Sequence, residues 1–509
     1  APVRRPGSKR DTAASSTSTD PPTEPLPPSL PPAALTETYF KHYGVNPTID
    51  TEEESVSSFA LDVDTASYTL ARGALGRDEM PDDGAIRVEE FLNAFDYGYP
   101  APPSADFEIH TEVVPSPHRA GYHVLHVGLR AREIAGKDRA PANLVFVVDV
   151  SSSMAEDARL ELVQDAMRAL VQRLGAQDKL AIVSYGNEAD LVLEPTAGDR
   201  HVEILAAIDA LAPAGSTDVD AGLRLGYALA AKAPIEGGIN RVLLYSDGVA
   251  TAGPTAAEEL LAHVADAAAK GITISTIGVG VENYDDVLLE QLADKGNGKY
   301  EYVDRFGEAE RVLVHNLTGT LQVVARDAKL QVEFDPAVVA RYRLLGYENR
   351  GLSPDAFSSA NTDAGEIGAG HAVTALYELQ LRPGVAERFG TVRLRYRLPH
   401  TGLLRELDAP LSATAIRTTL GEASPATRVS MVVAAFAEKL RGSYWVRELG
   451  WPDIQNLYLG LPADWLRRRE VAELGELIDT AARLDRRTAR SDRDFTSLQM
   501  DFDRMPVLQ

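Results

Sequence analysis

The chain has 509 residues, no cysteine and a formal net charge of −24, which excludes disulfides, thiolate zinc and cysteine nucleophiles. So acidic a balance argues against nucleic acid, a partner that calls for a basic face. The length is enough for about three domains at roughly 150 residues each, and no apolar run approaches the roughly 18 residues of a spanning helix.

Residues 1–34 hold nine prolines among Ser, Thr and charged residues. Such a segment cannot bury enough apolar surface to offset its ordering entropy, so it reads as a disordered Pro-rich linker. Residues 35–106 read as a small separate α+β unit. Ser58 to Val63 is a strand, Asp64 caps a helix over 65–76, and a second helix runs over 86–95. Asp62, Asp64 and Ser67 echo a metal loop, but helix capping explains those residue types more simply.

Period-two alternation begins at 107–139, where Ile109 and Thr111, then Leu125, Val127 and Leu129, share faces. His123 and His126 stand three apart on such a strand, point to opposite faces, and cannot share an ion.

From 140 to 327 the pattern becomes strand–helix alternation, which indicates a mostly parallel sheet with helices on both faces. Leu144 to Val148 is a short β-branched run buried on both sides. It ends in Asp149, Ser151 and Ser153, and Leu160, Val163, Met167, Leu170 and Leu174 then recur at helical spacing. These three residues therefore sit on a strand-to-helix loop at the carboxyl end of a central strand, where open α/β sheets place their ligands. A strand over 179–185 turns at 186–189 into 190–194. Helices follow over 201–212 and 219–233, with Gly215-Ser-Thr217-Asp218 just before the second. Arg241 to Ser246 is another strand, ending in Asp247-Gly248. A helix near 255–270, a strand at 272–280, a helix near 284–295, a strand at 300–303 and a helix over 306–324 complete the set. Segments 186–189, 248–254 and 280–285 fall on the same rim and are candidates for partner selectivity.

Period two returns over 328–418, so strands lie on both sides of the α/β part in sequence. The economical arrangement is one β-sandwich with the α/β domain inserted into a loop. Residues 419–485 form a C-terminal helical region: Ser424-Pro425 starts a helix and Gly442 stops it. Residues 486–509 are a charged tail.

Asp149-x-Ser151-x-Ser153, Thr217 and Asp247 together resemble the metal-ion-dependent adhesion site (MIDAS) of von Willebrand factor A (VWA) domains. Asn46-Pro-x-Ile-Asp-Thr-Glu-Glu-Glu, Ser58-Phe-Ala-Leu-Asp-Val-Asp-Thr-Ala-Ser-Tyr68, Gly346-Tyr-Glu-Asn349 and Ile367 to Tyr377 resemble a bacterial family of VWA proteins. That family carries an N-terminal VWA-associated region and a conserved C-terminal region of unknown function. The likeness runs from about 39 to about 440. It implies an α/β, doubly wound, Rossmann-like VWA domain inserted into a β-sandwich, with small N-terminal α+β and C-terminal helical parts. It implies that the hydroxyls of Ser151, Ser153 and Thr217 touch a metal, with Asp149 and Asp247 acting directly or through water. It also implies that a helix at the domain's end, here 306–324, shifts when the metal changes its ligands.

All five candidate ligands are oxygens, which suit Mg²⁺, Mn²⁺ or Ca²⁺ over Zn²⁺. Two acids and three hydroxyls leave such an ion under-neutralised, ready to take an Asp or Glu carboxylate from a protein partner. No phosphate loop, His-Glu-x-x-His or Gly-x-Ser-x-Gly occurs, so no enzyme activity is expected. The expected function is metal-dependent adhesion or protein binding at the cell envelope. The rivals are an intracellular assembly factor beside an AAA+ ATPase and a structural envelope scaffold. The start at Ala1 without Met fits a removed leader and points to an extracytoplasmic place: secreted, periplasmic or cell-surface. A lipid anchor upstream of Ala1 stays open.

Overall fold

The computed structural model describes residues 43–61, 63–134, 138–248, 254–280, 286–306, 322–359, 364–384, 387–399 and 401–487. The expected linker, nearly all of the charged tail, Asp62, most of helix 306–324 and most of the 248–254 and 280–285 segments lie outside the described residues.

In chain order the first elements are β1 (Ile49–Asp50), β2 (Val56–Ala60), α1 (Ala66–Gly76), α2 (Val88–Asn93), β3 (Phe107–Pro115) and β4 (Tyr122–Ala131). The α/β part follows with β5 (Ala142–Asp149), α3 (Arg159–Val171), β6 (Lys179–Tyr185), β7 (Ala189–Ala197), α4 (His201–Asp209) and α5 (Val219–Lys232). It continues with β8 (Ile239–Ser246), α6 (Pro254–Ala269), β9 (Ile272–Val279), α7 (Asp286–Lys295) and β10 (Tyr300–Val303). Its six strands run in the order β10-β9-β8-β5-β6-β7. All neighbours are parallel except β7, which folds back antiparallel on β6. Every residue of β5 is buried, because α3 and α4 cover one face of the sheet and α5, α6 and α7 the other.

Next come β11 (Val323–Phe334), β12 (Val339–Leu345), α8 (Pro354–Ser358), β13 (Ile367–Gly368), β14 (Ala372–Leu381), β15 (Arg388–Arg397) and β16 (Leu404–Ser412). Strands from both sides of the α/β part share one sheet, β1-β12-β14-β4-β3. A second sheet runs β13-β11-β15-β16, with β2 also paired to β11. Side chains from the two inner faces, such as Leu125, Val127, Leu330, Val332, Tyr377 and Leu394, meet in one core.

The sequence reading missed β12. Its alternation is masked by Arg341 and Arg343, and Arg343 is a charged residue turned inward.

The N-terminal segment is not a separate unit among the described residues. Strands of two and five residues cannot stand alone in water; β1 pairs with β12 and β2 with β11. Tyr68, Phe91 and Phe95 join Val432, Phe436, Leu474 and Ile478 in a helical core. That core includes α9 (Pro425–Leu440), α10 (Trp451–Leu459), α11 (Ala463–Leu466) and α12 (Arg469–Leu484). Ser424 caps α9 by accepting from the Thr427 amide at 3.2 Å, and Gly442 follows with a left-handed φ of 68°. Asp64 does not cap α1: the N-cap is Thr65, whose hydroxyl makes no capping bond and instead donates to Glu301 Oε2 at 3.0 Å. Ser67 instead ties α1 to the next turn, donating to the Ala85 carbonyl and accepting from the Arg87 amide.

His126 sits between the first sheet and α9. Ser430 Oγ donates to the Thr427 carbonyl, so it accepts from His126 Nδ1 at 2.9 Å; Tyr99 Oη lies 2.6 Å from Nε2. This network assigns a neutral ring with its proton on Nδ1. Burial pulls the His126 pKa down to about 4, against the nearby Glu112 charge and with help from His110. The unfolded ring, near 6.5, gains its proton first, so stability falls as pH drops from about 6.5 to 4. We expect His126→Gln to flatten this part of the Tm–pH curve, removing a slope worth about 3 kcal/mol in all. Equal slopes in parent and variant would refute this.

Candidate metal centre

The parallel pairing of β5 and β8, with Val148 opposite Tyr245, brings the ends of both strands to one rim. Asp149 ends β5 and is 0% exposed. Its Oδ1 accepts from the Ser151 amide at 2.8 Å, and Ser246 Oγ lies 3.1 Å from its Oδ2. Ser151 Oγ and Ser153 Oγ are 3.0 Å apart, and Ser153 Oγ donates to Asp247 Oδ1 at 3.0 Å. A continuous run of side-chain oxygens therefore links the two strand ends. The buried Met154 anchors the loop in the core beneath.

The loop that carries Thr217 is laid against this run by its backbone. The Ser152 amide and Oγ both donate to the Gly215 carbonyl at 3.0 Å, Ala214 N donates to Val150 O, and Asp218 N to Gly186 O. A Cβ at Gly186 would meet the Ala214 carbonyl oxygen at 2.6 Å, so glycine is what permits this approach. Thr217 makes no hydrogen bond of its own among the described residues; its loop alone brings it to the rim. Asp218 is the N-cap of α5 and accepts from the Ala221 amide at 3.0 Å.

Burial pushes the Asp149 carboxyl up to about 6; hydrogen bonds from Ser151 and Ser246 oppose the shift and the Asp247 charge adds to it. A cation placed between the two acids would relieve both costs. The donors are hydroxyl and carboxylate oxygens, so they fit a hard divalent ion. Among the described residues no group of three or more His, Asp or Glu is placed to hold a metal ion, and the candidate centre here draws on two acids and three hydroxyls.

Sequence reasoning missed Ser246 and Arg159. Arg159 is 4% exposed, and its Nη1 donates to Asp247 Oδ2 at 2.9 Å. It follows two left-handed residues, Asp157 and Ala158. At the first position of an amphipathic helix an arginine reads as solvated, and only the fold turns this one inward.

Three family models match the chain: "von Willebrand factor" over residues 34–126, "von Willebrand factor type A domain" over 143–315, and "Uncharacterized protein YfbK, C-terminal" over 319–484. The protein described as Uncharacterized protein YfbK of Escherichia coli (strain K12) is 35% identical over 443 residues, covering 82% of this chain and 76% of that one. Uncharacterized protein sll0103 of Synechocystis sp. is 28% identical over 302 residues, covering 57% and 70%. Among solved structures, a von Willebrand factor type A protein from Catenulispora acidiphila gives a TM-score of 0.42 at 15% identity, covering 72% of this chain and 88% of that one. The ArnB paralog VWA2 from Sulfolobus acidocaldarius gives 0.35 at 14%, covering 75% and 98%.

Proposed function

Since the chain belongs to the YfbK family of bacterial von Willebrand factor A proteins, we propose that it is a metal-ion-dependent protein-binding module of the cell envelope. It captures a partner's Asp or Glu through a divalent cation, Mg²⁺ or Mn²⁺ foremost. The observation that carries this reading is the run Ser151–Ser153–Asp247 closing on the buried Asp149 at the rim. When bound, the ion supplies an electrophilic point for a ligand carboxylate. Ser151, Ser153 and Thr217 would hold it through hydroxyls, and Asp149 and Asp247 through carboxylates or water. In a partly dry rim the ion–carboxylate attraction is stronger than in bulk water. We read the site as binding rather than catalytic: among the described residues, no general base beyond the two acids themselves is bonded into it.

Calorimetric titration of Mg²⁺ and Mn²⁺ into this chain is expected to show saturable binding that Asp149→Ala abolishes. The variant is expected to keep its fold, since burial disfavours the charged form of the carboxyl it removes. Absence of binding in the parent, or unfolding of the variant by circular dichroism, would overturn the reading.

A further inference from the structure

Arg159 bears on how such an ion would be held, and this inference rests on the metal reading above. Its guanidinium is buried against one of the proposed ligands: Nη1 reaches Asp247 Oδ2 at 2.9 Å and the Ser153 carbonyl at 3.4 Å. The pocket for it is built. Gly280, at φ +83°, leaves the space that its arm fills, and a Cβ there would lie 2.4 Å from Arg159 Nε. That Nε is buried without a hydrogen-bond partner among the described residues. Glu156 and Asp157 approach Nη2 only at 3.7 and 3.9 Å. Both are exposed and screened by water.

With Asp149 and Asp247 ionised and Arg159 charged, this cluster carries a single net negative charge. A divalent ion turns that into a single net positive charge, which a ligand carboxylate cancels. Contrary to the under-neutralisation expected from the sequence, without Arg159 the two acids alone would balance a divalent ion's charge, and a further carboxylate would add an uncompensated negative charge. We propose that Arg159 is the positioning residue that makes ion binding and carboxylate capture cooperative. It weakens the ion's hold in the absence of ligand, and the positive charge it leaves on the ion-loaded site is what a carboxylate then binds. The coupling is reciprocal: whatever the carboxylate adds to ion affinity, the ion adds to carboxylate affinity.

The test titrates Mn²⁺ and Mg²⁺ by calorimetry into the full chain, Arg159→Met and Arg159→Gln, in sodium chloride and in sodium acetate at equal ionic strength. In chloride the neutral variants are expected to bind at least about tenfold more tightly than the parent, a difference of about 1.4 kcal/mol. Acetate is expected to raise the parent's ion affinity and to leave that of the variants nearly unchanged. A purely structural Arg159 would instead give weaker binding in the variants and the same acetate effect in all three chains, which overturns the proposal. Arg159→Gln keeps a hydrogen-bonding head should the methionine variant not fold. The parent's acetate dependence is decisive even without either, since its absence also overturns the proposal. If parent and variants all fail to bind an ion, the metal reading fails and the inference with it. If the parent binds and the variants bind no better, the inference alone fails.

Discussion

Arg343→Met is expected to destabilise the protein by about 3–5 kcal/mol, the range for breaking a buried ion cluster by removing one member. Arg343 lies on β12 and is 1% exposed. Its Nε bonds Glu378 Oε2 at 2.8 Å and its Nη1 bonds Glu438 Oε2 at 3.1 Å. Burial pushes the Glu378 carboxyl up, but Arg343, His118 and Arg119 outweigh it and hold the group well below the usual carboxylate range. Glu438 is likewise held down against burial by Arg441 and Arg343. Methionine preserves the bulk of the stem and removes the charge with its hydrogen bonds, so the loss reads the ion cluster rather than a cavity. The chain's tryptophans, Trp445, Trp451 and Trp465, all belong to the helical part beside this cluster. Urea unfolding followed by tryptophan fluorescence therefore reports where the effect is felt. Adding Glu438→Gln should return part of the loss, because one of the stranded charges is then gone. A single-variant cost below about 1 kcal/mol would mean that Arg119 and Arg441 suffice without Arg343.

Gly298→Ala should cost at least the upper end of the roughly 1–3 kcal/mol typical of overpacking. Gly298 lies between α7 and β10, and a Cβ there would sit 1.4 Å from the Ile274 carbonyl oxygen and 2.5 Å from its carbon. Both atoms are backbone of β9, so no rotamer change relieves the clash; β9 and the turn must part. The backbone at 298 is not left-handed, so the constraint is close approach alone. Gly76→Ala, where the added carbon meets nothing within 4 Å, is the matched control. At the end of α1 it should be neutral or stabilise by up to about 1 kcal/mol. Thermal unfolding of both variants checks the pair; similar midpoints would rule out the close approach as the reason for glycine at 298.

The local signals of this chain were legible because they are short-range. The unbroken apolar run of β5 fixed a strand buried on both faces. The turn chemistry of Asp149, Ser151 and Ser153, followed by the helical spacing of α3, placed those residues on a ligand-facing loop. Ser424, Pro425 and Gly442 bounded α9 for equally local reasons, since capping and left-handed φ are properties of a few consecutive residues. The alternation in β4, β11, β14 and β15 was plain because each presents one face to the core between the sheets.

What escaped depends on partners far away in sequence. Nothing around β1 and β2 announces that they complete the edges of β12 and β11, roughly 290 and 270 residues later, because pairing across such distances is settled by packing rather than pattern. An arginine inside a strand or at a helix start looks solvated until the acids that bury it are known. For that reason Arg343 hid β12, and Arg159 went unnoticed beside the metal loop. By itself the sequence determined most of the elements, β12 excepted, and which oxygen-bearing residues lie on strand ends and loops of one rim; the tertiary structure decided which charges meet there, because the cost of a buried guanidinium is offset only by carboxylates that folding brings to it.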